Sequence, residues 1–93
     1  MSTVQTQAHR EWEKEALNKF NTMIERIPLF HRKIAQQVVH KKAELNCQQG
    51  GRAVVEESDI VQAFFSEGPL AFTSLMVRLL DEVGFNYKPY EPR

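Results

Sequence analysis

Large apolar residues in this chain recur at steps of three and four, and the spacing breaks at Pro28, Gly50-Gly51, Gly68-Pro69 and Gly84. Such steps keep side chains on one face of an α-helix, whereas a half-buried strand needs strict alternation. Each break ends a helix. Proline removes a backbone donor and crowds the preceding turn, and glycine readily takes the left-handed cap. The spacing therefore predicts four helices. Trp12, Ala16, Phe20, Met23, Ile24 and Ile27 line the first, with Glu11, Glu13 and Glu15 in its first turns, where the helix dipole favours negative charge. The second restarts at Leu29 or Phe30 and lines one face with Ile34, Ala35, Val38, Val39 and Leu45. The third begins between Glu56 and Ser58 and buries Ile60, Val61, Phe64 and Phe65. The fourth carries the stripe Phe72, Leu75, Met76, Leu79, Leu80 and Val83. Between helices two and three, the residues RAVV favour extended backbone and suggest a short extended segment near 53–55.

The expected fold is all-α: a compact bundle of about four short amphipathic helices. A polar, flexible N-terminus (1–8) precedes a single helical domain (9–84). An extended tail (85–93) with two tyrosines and two prolines follows, free to pack back on the helices or onto a partner. At 93 residues the chain suits one domain of modest core.

Twelve basic residues balance twelve acidic ones. A net charge near zero speaks against non-specific binding to DNA or anionic membranes, which requires clustered positive charge. The balance is uneven along the chain. Met1 to Asn46 holds eight Lys/Arg and five Asp/Glu; Cys47 to Arg93 holds four and seven. A basic face could thus meet an acidic face, within one molecule or between copies, and a homodimer is compatible with the large apolar residues of helices three and four. The single cysteine, Cys47, cannot form an internal disulfide, which fits a reducing compartment. No signal-peptide pattern and no long uncharged apolar run is present, so the expected location is the cytoplasm.

No pattern marks a self-contained enzyme. His40, Glu44 and Cys47 fall at i, i+4 and i+7 and share a helical face. That face lies opposite Ile34, Val38 and Leu45, so it reads as wet polar surface rather than a metal site. There is no CxxC or HExxH pair, and no metal or cofactor is expected. Ser58-Asp59 and Cys47 lack a context that would activate a nucleophile. Ser58 and Asp59 instead suit the open amides of a first helical turn. Gly50-Gly51-Arg52 is too short for a phosphate loop. On helix two Arg32, Lys33, Lys41 and Lys42 form a basic cluster, read as a solvated face or as a docking patch for an acidic partner or anionic ligand.

The stretch from about Glu11 to Phe64, somewhat over half the chain, resembles a known small module. The matching residues are Trp12, Ala16, Ile27, Pro28, Phe30, Arg32, Ile34, Ala43, Val55 and Ile60, with Ile27-Pro28-x-Phe30-x-Arg32 the most specific part. The module it resembles is the C-terminal domain of the B subunit of light-independent protochlorophyllide reductase, which also occurs as free-standing small proteins. In the reductase it accompanies a catalytic body that carries the iron–sulfur cluster and holds the pigment. The domain supplies no cluster ligands, and this chain lacks that body. Two features depart from the pattern. His40 stands where the family usually has glutamate, and Leu70 to Arg93 extend past the module.

The resemblance implies a non-catalytic helical module that binds a protein partner or a tetrapyrrole-like ligand. Its site would comprise Trp12, Pro28, Phe30, His31, Arg32 and His40. Phe30 and Ile27 are expected to pack against Trp12, and His31 to lie near the apolar face. Arg32 would cap a carbonyl, pair with Glu56, Glu57 or Asp59, or hold a carboxylate or phosphate of a ligand. Two alternatives stand beside this reading. One is an accessory component of a protochlorophyllide-reductase-like complex in chlorophyll biosynthesis. The other is a histone-like dimer, suggested by the short extended segment before helix three; its DNA binding is disfavoured by zero net charge.

Overall fold

The structure is a computed structural model that describes residues 10–92, so the expected flexible stretch 1–8 lies outside the described residues. Four α-helices form the body: α1 (Lys14–Arg26), α2 (Leu29–Gln49), α3 (Glu57–Glu67) and α4 (Thr73–Val83). Two short strands, β1 (Glu11–Trp12) and β2 (Val54–Val55), pair in parallel, with Glu11 opposite Val54 and Trp12 opposite Val55. Short 3₁₀ turns precede α4 (Leu70–Phe72) and close the tail (Lys88–Tyr90). The bundle is all-α, as the spacing predicts.

Helix one begins later than its apolar spacing suggests. Glu11 and Trp12 are extended, and the Glu13 N–H continues the pairing to the Val55 carbonyl at 2.9 Å. The helix starts only where the Glu13 carboxylate can accept the Ala16 N–H, at 2.7 Å. Pairing with β2 satisfies backbone groups that a frayed first turn would leave to water. It also sets Trp12 across helix α2.

Phe20, Phe64, Met23, Ile60 and Leu80 are fully buried at the centre. Phe20 and Phe64 meet with ring centroids 6.1 Å apart. Gly51 has φ +73°, a left-handed conformation that ends α2 without strain on a side chain. The tail packs back on the bundle. Phe85 is buried and Tyr87 rests against the core. Only the region around Lys88–Tyr90 stays at the surface, as a turn rather than an extended strand. No single helix among the described residues is long and apolar enough to cross a membrane.

The inner face of α2 is only partly the expected one: Val39 is buried and Ala35 packs against the core, as the spacing predicts, but the rest of the face differs. Val39, Ala43, Glu44 and Cys47 are buried, whereas Ile34, Val38 and Leu45 are 66%, 39% and 40% exposed. This 21-residue helix carries two apolar stripes, and only one can face its neighbours. The stripe of small side chains wins, because Ala43 and Cys47 let α3 approach closely. The supposedly wet face of His40, Glu44 and Cys47 therefore lies against the body of the protein.

Candidate functional site

Two features stand out, on opposite sides of α2. One is closed and polar. The Trp12 indole stacks on the His40 ring with centroids 4.5 Å apart, and tilts against Phe20 at 5.1 Å. Its Nε1–H donates to Glu44 Oε2 at 2.9 Å, and His40 Nε2 lies 3.8 Å from the same oxygen. This explains how a carboxylate can be buried in α2: it holds a donor in place of water. Cys47 nearby is fully buried and donates from Sγ to the Arg52 carbonyl at 3.3 Å. Burial pushes its thiol pKa up, so it stays protonated and is a poor nucleophile. Among the described residues no group of three His, Cys, Asp or Glu side chains could hold a metal ion.

At the adjoining end of the bundle, Arg52 forms a two-pronged ion pair with Asp59. Nη1 and Nη2 donate to the two carboxylate oxygens at 2.7 and 2.8 Å. The hydrogen bond to Asp59 raises the pKa of the guanidinium. Asp59 also accepts the Glu56 N–H at 2.9 Å at the start of α3. Ser58 and Asp59 do occupy the first turn of α3, and Asp59 is structural there.

The second feature is an apolar groove of about 400 Å³ between the first half of α2 and α4. Ile34, Ala35 and Val38 form one wall, Leu75 and Met76 the other, and Phe64 and Leu79 the floor. The turns at Ile27-Pro28 and Gly68-Pro69 complete it. Gly68 permits the tight second turn. A Cβ there would sit 2.9 Å from the Phe64 carbonyl oxygen and 3.2 Å from Met76 Cε.

The residues singled out from the sequence divide between these places. Pro28 and His31 line the groove, and His31 is exposed rather than packed. Phe30 is 89% exposed beside it and does not pack on Trp12, although Ile27 is buried. Pro28 caps α2, which starts at Leu29 as expected, and Phe30 in its first turn points out to solvent. Arg32 caps carbonyls: Nη2 donates to the Glu25 oxygen at 2.8 Å, and Nε and Nη2 to that of Ile27 at 3.3 and 3.1 Å. It does not pair with Glu56, Glu57 or Asp59. Lys19 holds Glu57, and Arg52 holds the other two. Trp12 and His40 belong to the closed feature and do not line the groove.

Most of the groove was missed from the sequence. Ile34, Val38, Leu75, Met76 and Leu79 all read as core positions. The available signal was an excess of apolar positions on α2: one helix of a small bundle cannot bury two stripes. Compared with known protein families, characterised proteins and solved structures, the chain matches none of them.

Proposed function

We propose that this protein is a small non-catalytic interaction module that docks apolar side chains of a partner protein in the groove beside Pro28. The observation that carries this reading is the groove itself. A chain of this size leaves Ile34, Val38 and Phe72 at least 39% exposed along one continuous hollow. Contiguous apolar surface of this kind marks interaction sites. Asp59 is committed to Arg52, Glu44 to Trp12, and Arg32 to the carbonyls that end α1, which leaves His31 and Glu67 as the titratable side chains that line the groove. The resemblance to the protochlorophyllide reductase C-terminal domain supports the same class of role, an adjunct to a larger assembly.

A photo-crosslinking residue at position 30, in cells of the source organism, tests this. One partner should be captured from position 30 and not from position 21 on α1. Capture should disappear when Ile34→Asp is added. Equal capture from both positions, or capture unaffected by Ile34→Asp, would overturn the groove assignment.

A second reading is a tetrapyrrole-like ligand. It is favoured by the imidazole of His31 on an otherwise apolar wall. Titrating the labelled protein with protochlorophyllide, with haem as a control, separates it from the first. Amide shifts confined to residues 27–39 and 64–79 with protochlorophyllide alone would support it. Absent shifts, or equal diffuse shifts with both pigments, would remove it.

A further inference from the structure

We infer that the groove is covered by the same face of a second copy of this chain, in a weak symmetric dimer. The inference rests on the docking reading above and names the partner. In a two-fold interface one patch meets itself, so the patch must hold both what projects and what receives it. This patch holds both. The hollow runs between Ile34 and Val38 on α2 and Leu75 and Met76 on α4. Phe30 projects beside it, next in the chain to the lining residue His31, and Leu70 follows the lining residue Pro69; they are 89% and 85% exposed. In the dimer Phe30 of each protomer enters the groove of the other. A small ligand in the hollow would leave both projecting side chains in water.

Area sets the strength. Phe30, Leu70, Ile34 and Phe72 together leave about 500 Å² in water, taking roughly 170 Å² for a fully exposed side chain of this size. A standard stable interface takes about 800 Å² from each partner. The patch approaches that figure from below, which fits a protomer that folds alone and pairs with a dissociation constant of about 50 μM. A chain this short buries a modest share of its apolar surface by itself, and pairing adds to it. Charge permits the match. The chain carries no net charge, and the two titratable side chains that line the groove, His31 and Glu67, are a base and an acid. Among the described residues neither forms an ion pair, and Glu67 accepts only from the Ser66 hydroxyl. Symmetry makes any contact between Glu67 of one protomer and His31 of the other occur twice.

The test is sedimentation equilibrium of the full chain across about 5 to 500 μM, a range that brackets the expected dissociation constant. A monomer–dimer equilibrium should appear. Ile34→Asp should weaken it at least about tenfold, since each copy would bring a charge into the apolar contact. Ile34 is exposed in the protomer, so this variant should fold, and circular dichroism checks that it does. In a mixture of isotope-labelled and unlabelled chains, NOEs between protomers should join the Phe30 ring to the Met76 methyl. A dimer that Ile34→Asp leaves unchanged, or one whose NOEs between protomers lie elsewhere, would overturn the inference. A monomer throughout the range would overturn it too. In that case capture of a different protein from position 30 would leave the docking reading standing, and no capture at all would remove both.

Discussion

The Arg52 end and the Pro28 end of this molecule are each built at a turn flanking helix α2, yet they treat their polar and apolar groups in opposite ways. At the Arg52 end every strong group is answered. Asp59 is fully buried and takes both prongs of the guanidinium, and β2 pairs with β1. At the Pro28 end Phe30, Leu29 and Ile34 stand 89%, 75% and 66% exposed, beside an apolar groove. Stability and availability are thus separated along one helix. The second half of α2 holds the fold together; the first half presents surface. Arg32 joins the two. By capping the end of α1 it fixes the angle of the turn from which the exposed residues project.

The largest expected effect would break the closed end. Asp59→Ala removes the buried ion pair and the acceptor at the start of α3, and should cost about 3 kcal/mol, measured by urea unfolding. A loss within 0.5 kcal/mol, about the range for an ordinary surface site, would mean the two ends do not differ in kind. Trp12→Phe keeps the ring stack but leaves the Glu44 carboxylate without its donor. It should cost about 1.5 kcal/mol in the same assay. Arg32→Ala should cost about 1 kcal/mol by freeing the carbonyls of Glu25 and Ile27. It should also broaden amide signals around residues 27–34, a readout that a purely external arginine would not move. Phe30→Ala should change stability by no more than about 0.5 kcal/mol, because the ring is in water. A clear loss of stability would show that this residue packs, and would erase the contrast. Finally, Cys47 should resist thiol reagents at neutral pH in the folded state and react at once in urea, as its burial and raised pKa require.

How far these features could be read from sequence depends on whether neighbours in the chain are enough. The Ser58-Asp59 turn, the glycine stops and the four helices were legible, because caps and breaks act within a few residues. Trp12 was misread as helical because its strand exists only through a partner, Val54–Val55, some forty positions away. His40, Glu44 and Cys47 were misread as wet, since periodicity alone cannot rank two faces of one helix. Phe30 was assigned to the core on its chemistry, and helix phase turned it outward.

The amino-acid sequence by itself determined that four helices form and where they stop, since propensity, capping and chain breaks are local energies, whereas the start of α1 was set by strand pairing with Val54–Val55. Only the tertiary structure decided which stripe of α2 is buried, which arginine meets Asp59, and that a groove stays open beside Pro28. Those outcomes depend on how closely particular helices can approach, and that is set by small side chains such as Ala43 and Gly68 at contacts between segments distant in the chain.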